Sequence, residues 1–251
     1  MERPDSQTTR RAVLASLGTV TATGGVVYAG AQLDSGATET VRTSPTDGPR
    51  FHSSSESTGF GIDLDGHPVM GSMDAPLDMY YWSDYQCPFC RRFEENTFPT
   101  LIDDHVRSGT VRVIFIEFPY LGEGSITAAV MDRCIWRQVR SDEPRRYWQW
   151  HSTVYGRQGE KGSGWASKSN LLEITREVDG VDADTVDTCM QENRSEIESS
   201  IATDVERARR LGLRGSPAFI IYNRNADKAG KLVGAQPAAR FDEAITTVEN
   251  A

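Results

Sequence analysis

The sequence predicts an α/β fold that is interrupted by an inserted helical subdomain. Leu77–Trp82 and Val111–Phe118 are mostly apolar and predict buried strands, with a helical stretch between them. The next strong strand, Ala218–Tyr222, follows about 100 residues later. A direct crossover between strands needs only about a dozen residues. The intervening segment instead repeats apolar residues at helical spacing, so several helices are expected there.

The elements before the insertion predict a strand–helix–strand unit. Phe93, Leu101 and Val106 mark one face of the helix that follows the first strand. Pro99 lies within this helix and is expected to kink or divide it. A Cys-x-x-Cys motif stands at the turn from the first strand into the helix.

The helices of the insertion show separate apolar faces, and the chain after the late strand is simpler. The four predicted helices have faces that include Met131, Val154, Ile174 and Ile201. Near the end of the chain, Lys231–Val233 predicts an edge strand. A final helix follows, with apolar residues on its buried face.

The N-terminus resembles an export signal. Arg10 and Arg11 stand directly before a weakly apolar stretch, as in twin-arginine signals. Ala29-Gly30-Ala31 offers a cleavage site of small residues. Residues 1–31 are therefore predicted to be the export signal. The alternatives are a general secretory signal and an uncleaved signal, which would tether the protein to a membrane.

The rest of the chain divides into four predicted portions. Residues 32–58 are rich in Ser, Thr, Gly, Asp and Pro without an apolar period, which predicts a disordered linker. The first part of the α/β domain is predicted at 59–122 and its second part at 210–251. The inserted helical subdomain is predicted at 123–209.

Charge and cysteine content restrict the function. The net charge of −9 argues against nucleic-acid binding, which needs a basic face. Of the four cysteines, Cys87 and Cys90 form the close pair; a zinc ribbon would need a second one. A redox pair in an oxidising compartment fits better. Cys134 and Cys189 either form a structural disulfide or remain two separate buried thiols. No metal and no other cofactor is predicted.

Four segments together resemble the DsbA-like branch of the thioredoxin superfamily. They are Gly71–Pro76 before the first strand, Ser83–Cys90 around the motif, Phe118-Pro119 at the end of the next strand, and Leu211–Pro217 before the late strand. The resemblance covers roughly residues 59–248 and implies a thioredoxin-like fold with an inserted helical subdomain. Two positions depart mildly from the family pattern, which usually has an acidic residue at Gln86 and Thr at Ser216.

The position of the motif predicts different roles for its two cysteines. The first lies where a helix begins, and unpaired N–H groups and the helix dipole stabilise an anion there. Cys87 is therefore expected to be an exposed, acidic nucleophile and Cys90 the buried resolving thiol. Pro88 suits the first helical position, because its missing N–H would have no partner there.

The resemblance implies further site features. The proline that matches Pro217 is cis in the family and lies against the active disulfide, so Ser216 and Pro217 are expected to contact substrate. Pro88 and Phe89 are expected to do the same. Some family members carry a second disulfide, which favours pairing of Cys134 with Cys189.

Phe89 occupies the position where the most oxidising family members have His. Phenylalanine supplies neither a positive charge nor a hydrogen bond to a thiolate. We therefore expect a reduction potential above that of thioredoxin and below that of the His-containing type.

The resemblance implies an exported protein thiol–disulfide oxidoreductase that oxidises dithiols through a mixed disulfide at Cys87. Its expected partners are reduced or misfolded exported proteins and a membrane re-oxidant or reductant, outside the cytoplasmic membrane. One alternative is a reductase or isomerase of the same fold. Another is a chaperone that binds a soft metal through the two cysteines.

Overall fold

The computed structural model describes residues 48–251. The predicted export signal at 1–31 and most of the predicted linker lie outside the described residues. No helix within residues 48–251 combines the length and apolar character needed to cross a bilayer.

Within residues 48–251, eight strands form a six-stranded sheet and a separate two-stranded sheet. The strands are β1 (Phe51–His52), β2 (Ser57–Thr58), β3 (Ile62–Asp63), β4 (Val69–Met70), β5 (Leu77–Ser83), β6 (Val111–Glu117), β7 (Ala218–Asn223) and β8 (Lys228–Val233). The large sheet has the order β1-β4-β6-β5-β7-β8, and β2 pairs with β3. Within the large sheet, β5 and β6 are parallel and the other neighbours are antiparallel.

Seven α-helices are present in the described part of the chain. They are α1 (Pro88–Asn96), α2 (Phe98–Leu101), α3 (Glu123–Val139), α4 (Arg145–Gly156), α5 (Lys168–Arg176), α6 (Ala183–Arg210) and α7 (Ala238–Glu249). A 3-10 turn spans Gly59–Gly61, and a π-helical turn spans Ile102–Val106. The break between α1 and α2 confirms that the predicted helix is divided near Pro99.

The parallel pair β5 and β6 forms the centre of the fold, as its apolar sequence predicted. Every residue of both strands is buried. Phe93 on α1 packs on this layer, with ring centroids 5.1 Å from Tyr81 on β5 and 4.6 Å from Phe219 on β7. These contacts fix α1, and with it the Cys-x-x-Cys turn, to the carboxyl end of β5.

Helices α3 to α6 lie between β6 and β7, so the predicted thioredoxin-like fold with an inserted helical subdomain is confirmed. A buried ion pair within this insertion is linked through His67 to the first part of the domain. Arg133 on α3 donates to Asp204 on α6 at 2.8 Å, and His67 lies 3.2 Å from the same carboxylate oxygen. Burial opposes ionisation of Asp204, but His67 and Arg133 keep its pKa below the ordinary value.

The predicted linker boundary at residue 58 is wrong, because the folded part already includes Phe51. In β1, Phe51 pairs with Met70 and is 4% exposed. Its ring lies 5.8 Å from Phe115 and 5.6 Å from Tyr147, centroid to centroid. One aromatic residue in a stretch of small polar residues is enough to anchor a two-residue strand, and such a strand has no readable periodicity.

Candidate active site

The Cys-x-x-Cys motif forms the turn between β5 and α1. Cys87 has extended backbone angles and is the N-cap of α1, and exposed Pro88 follows at the first helical position. The Cys87 N–H donates to the Asp84 carbonyl at 2.9 Å, and the Cys87 carbonyl accepts the Arg91 N–H at 3.2 Å. The Cys87 sulfur therefore lies at the positive end of the helix, as predicted.

Both active-site thiols are free and buried. Cys90 is fully buried, as predicted, but Cys87 is only 1% exposed, so the prediction of an exposed nucleophile is wrong for this dithiol form. The Cys87 thiol donates to the Ser216 carbonyl at 3.3 Å. The Tyr120 hydroxyl interacts with Cys87 and Ser216. This hydroxyl also lies close to Gly215, where an added Cβ would be 3.7 Å from it. Tyr120 and the Ser216 loop together shield the sulfur from solvent.

The two thiols differ strongly in acidity. The hydrogen bond from Cys90, together with Ser216 and the N–H groups of Cys90 and Phe89, lowers the pKa of Cys87 to about 6 despite burial. Burial and the neighbouring Cys87 raise the pKa of Cys90 well above the ordinary thiol value. At neutral pH, Cys87 is therefore the thiolate and Cys90 the thiol that donates to it.

The loop before β7 faces the two cysteines. Its Ser216–Pro217 peptide bond is cis, as predicted. The Pro217 carbonyl accepts the Gly234 N–H at 2.8 Å, which continues the pairing of β7 with β8 into the loop. The Ser216 hydroxyl is buried and has no hydrogen-bond partner among the described residues. It is therefore available to donate to Cys87 once this thiol has lost its proton.

An apolar surface surrounds the cysteines. Of the four large hydrophobic side chains exposed in residues 48–251, three lie here: Phe89 is 51% exposed, Tyr120 42% and Val233 50%. Val233 ends β8 opposite the residue that follows Pro217. The Arg92 guanidinium lies over the Phe89 ring, 5.1 Å from its centroid, and adds positive charge to this surface. Exposed apolar side chains that cluster in this way are typical of an interaction site.

Asp84 connects the active-site turn to the loop after β6. Its carboxylate accepts the N–H groups of Gln86 at 2.8 Å, Tyr120 at 3.0 Å and Leu121 at 3.3 Å. Burial raises the pKa of Asp84, although these three donors oppose the effect. The carboxylate thereby fixes the backbone of Tyr120 beside Cys87.

A network of buried polar side chains begins one helical turn beyond Cys90, at Glu94. Glu94 Oε1 lies 3.0 Å from His151 Nε2, and the Tyr85 hydroxyl lies 2.8 Å from His151 Nδ1. The same hydroxyl donates to Asp132 at 2.7 Å. His151 is fully buried. Hydrogen bonds on both ring nitrogens of His151 join α4 to α1 and, through the Tyr85 hydroxyl, to α3.

The second pair of cysteines belongs to the insertion. Cys134 on α3 and Cys189 on α6 form a disulfide with Cα atoms 5.8 Å apart. The structure thus contains the paired alternative rather than two separate thiols. The bond joins the two longest helices of the described chain.

The fold brings four of the predicted site residues together and places the others around them. Cys87 and Cys90 lie against Ser216, which a cis bond joins to Pro217, whereas Pro88 and Phe89 form part of the exposed surface. Sequence reasoning missed Tyr120. A signal for it existed, because the parallel strands β5 and β6 end at the same edge of the sheet, so residues that follow β6 lie near those that follow β5.

A buried pair of unequal thiols at a helix N-terminus, facing a loop that contacts the more acidic sulfur, defines a thiol–disulfide oxidoreductase. A family model described as thioredoxin matches residues 63–238. The chain belongs to the thioredoxin family, in its DsbA-like branch with the helical insertion.

Known relatives agree with this assignment. Disulfide bond formation protein D of Bacillus subtilis is 23% identical over 163 residues, which are 64% of this chain and 70% of that protein. The structure of a thioredoxin-like oxidoreductase from Silicibacter pomeroyi DSS-3 has a TM-score of 0.60 at 26% identity and covers 74% of this chain and 94% of its own. The structure of alpha-DsbA1 from Wolbachia pipientis has a TM-score of 0.64 at 21% identity, with coverages of 78% and 96%.

Proposed function

We propose that this protein is an exported dithiol oxidase that introduces disulfides into extracytoplasmic proteins through a mixed disulfide at Cys87. The observation that carries the proposal is the difference in acidity between the two thiols. A thiolate at Cys87 that is stable at neutral pH favours the dithiol form of the enzyme, so the disulfide form readily accepts electrons. The name of the Bacillus subtilis relative, disulfide bond formation protein D, supports the same direction.

The reaction consists of two thiol–disulfide exchanges. A substrate thiolate attacks Cys87 Sγ of the Cys87–Cys90 disulfide, which breaks that bond, forms the mixed disulfide and releases Cys90, which takes up a proton. A second thiolate of the substrate then attacks the substrate sulfur of the mixed disulfide. This forms the product disulfide and releases Cys87 as a thiolate. The substrate loses two electrons, and the enzyme disulfide gains them.

The surface around Cys87 suits an unfolded polypeptide. Phe89, Tyr120 and Val233 offer apolar contacts without a deep pocket, which fits substrates of varied sequence. The Ser216 backbone, which Cys87 contacts in the dithiol form, offers strand-like hydrogen bonds to an extended chain. Pro88 lies beside this surface and adds a further apolar contact.

The proposed location is the outer side of the cytoplasmic membrane. The twin-arginine-type signal at 1–31 supports export, and an uncleaved signal would tether the protein to the membrane. A disulfide in the insertion, between Cys134 and Cys189, fits an oxidising compartment. A membrane re-oxidant would return the Cys87–Cys90 dithiol to the disulfide. A reductase or isomerase, supplied with electrons by a membrane reductant, is the second candidate, because Phe89 replaces the His of the strongest oxidases.

Trapping with the full-length Cys90→Ser variant in the native host tests the proposal. Without Cys90, mixed disulfides at Cys87 are not resolved from the enzyme side, so exported cysteine-containing proteins should accumulate on the enzyme. The Cys87→Ser/Cys90→Ser variant is the control and should capture none. The variant has no disulfide of its own, so its Cys87 thiolate forms each mixed disulfide by attacking a disulfide of an exported protein, which reverses the last exchange of the oxidase. Capture of exported proteins with correctly paired cysteines, the products of an oxidase, would support the proposal. Captured proteins with wrongly paired cysteines would indicate the isomerase, and a lack of mixed disulfides would contradict both candidates.

A further inference from the structure

Gln158 reaches from the helical insertion to the backbone of the active-site turn. It stands two residues beyond the end of α4, and it is 8% exposed. Its Nε2 donates to the Tyr85 carbonyl at 2.6 Å and to the Cys87 carbonyl at 3.2 Å. Nothing in the local sequence around Gln158 marks it as part of the site.

The backbone of Gln158 is itself fixed on both sides. Its carbonyl accepts Nη1 of Arg91, on α1, at 3.2 Å, and its N–H donates to the Tyr155 carbonyl at 3.2 Å. At the next position, a Cβ on Gly159 would lie 2.8 Å from Cβ of Trp165, so the tight packing there requires glycine. The side chain of Gln158 is thus held in place against the turn rather than lying loosely across it.

The two carbonyls that Gln158 binds belong to the peptide groups that shape the N-terminus of α1. The Cys87 carbonyl also accepts the Arg91 N–H, which begins the helix. The Tyr85 carbonyl has no other donor among the described residues. The N–H groups of Phe89 and Cys90, which follow directly in the same turn, are directed at Cys87 Sγ. The orientation of these N–H groups depends on the peptide planes before them.

We propose that Gln158 is a positioning residue for Cys87, which holds the carbonyls of Tyr85 and Cys87 so that the N–H groups at the start of α1 stay directed at the sulfur. The side chain contacts neither the sulfur nor the substrate surface and acts through the backbone. The inserted subdomain therefore contributes to the acidity of the nucleophile as well as to the shape of the protein. The proposal rests on the thiol–disulfide activity of Cys87 and applies equally to an oxidase and a reductase.

The test is Gln158→Met in the full-length reduced protein. Methionine keeps the length and approximate volume of glutamine but donates no hydrogen bond. We expect the pKa of Cys87, followed by the ultraviolet absorbance of its thiolate, to rise by about 0.5 to 1 unit. The equilibrium constant for oxidation of glutathione by the enzyme disulfide at neutral pH should fall by about three- to tenfold, since one pKa unit corresponds to about a factor of ten.

Gln138→Met is the matched control. Gln138 also makes two hydrogen bonds to backbone groups, a donation to the Asp182 carbonyl at 3.1 Å and an acceptance from the Asp182 N–H at 3.0 Å. Those bonds support the start of α6 rather than the active-site turn. The control variant should therefore lose stability without a change in the titration of Cys87 or in the glutathione equilibrium.

The outcomes separate the proposal from the proposed function. If Gln158→Met lowers stability but leaves both redox measurements at the unsubstituted values, Gln158 is merely structural and the proposal is overturned. If Gln158→Met does not fold, Gln158→Asn replaces it in the test. Asparagine keeps an amide but is too short to reach both carbonyls, so the pKa of Cys87 should rise by a smaller amount. An unchanged titration there would also overturn the proposal. An ordinary thiol titration in the unsubstituted protein would instead contradict the oxidase function itself.

Discussion

Both pairs of cysteines in this chain can form a disulfide, but their surroundings give the two pairs different roles. Cys87 and Cys90 lie one helical turn apart at a helix N-terminus, facing the Ser216 loop and an apolar surface. Cys134 and Cys189 are 55 residues apart in sequence and join the middle of α3 to α6. The first pair has thiols of unequal acidity, whereas the second restricts the chain. Cys87 and Cys134 are equally buried at 1% exposure, so hydrogen-bond donors around Cys87, first of all the Cys90 thiol, distinguish it rather than burial.

The largest expected difference between the pairs is in catalysis. Cys87→Ser should reduce the rate at which a reduced, unfolded substrate protein is oxidised by on the order of 10³-fold or more, because the residue that forms the mixed disulfide is lost. The Cys134→Ser/Cys189→Ser variant should retain most of the rate at a temperature where it is folded. A comparable loss in both variants would remove the functional distinction between the pairs.

The next effect is on stability. Cys134→Ala/Cys189→Ala should lower the free energy of unfolding by about 4 kcal/mol, because the disulfide closes a loop of 55 residues. Denaturant titration of the oxidised protein measures this change. The matched variant Cys87→Ala/Cys90→Ala, compared with the dithiol form at low pH, should change stability much less. Equal losses would mean that both pairs serve mainly to stabilise the fold.

The acidity of Cys87 predicts a pH dependence that the second pair lacks. The pKa of Cys87 is about 6 in the folded dithiol form and is lowered from an ordinary value of 9.0. Ionisation therefore stabilises the folded form; the contribution is complete above the unfolded pKa and is lost as pH falls through about 6. The free energy of unfolding of the dithiol protein, measured relative to that of Cys87→Ser, should rise by about 2.5 kcal/mol between about pH 5 and about pH 8. A difference that stays constant with pH would contradict the assigned acidity.

The smallest expected effect concerns the residue between the cysteines. Phe89→His introduces a donor beside Cys87 and should lower its pKa by about 0.5 to 1 unit, which makes the disulfide about three- to tenfold more oxidising toward glutathione. Phe60→His is the control, because Phe60 is also an exposed aromatic residue, at 42%, and lies in the 3-10 turn far along the chain from the motif. A glutathione equilibrium that Phe89→His leaves unchanged would show that this position does not set the potential.

Strong local patterns made the central part of the fold predictable from the sequence. The continuous apolar runs of β5, β6 and β7 gave the buried strands, and Pro99 gave the break between α1 and α2. Strands of two residues, such as β1 and β4, carry no periodicity, so the start of the folded part was placed too late. Phe51 shows the reason, since a single buried aromatic residue determines whether this segment is ordered.

Site residues that stand in recognisable motifs could be predicted from the sequence, whereas residues that only the fold brings to the site could not. Cys87, Cys90 and Pro217 stand in motifs whose residue types imply their roles. Tyr120 and Gln158 act through the path of the chain, which brings distant segments to the same turn, and no local pattern records such contacts. The burial of Cys87 was missed for the same reason, because the residues that shield it follow β6 and precede β7.

The contact between Cys87 and Ser216 joins residues that are 129 positions apart. The Cys90 thiol and the N–H groups of Phe89 and Cys90 lower the pKa of Cys87 from within the Cys-x-x-Cys segment, and Ser216 adds a contribution that only the tertiary structure supplies. Until β7 has paired with β5, Cys87 lacks this contribution and the shielding by the Ser216 loop. The full acidity of Cys87 is thus reached only when the strands on both sides of the insertion have paired.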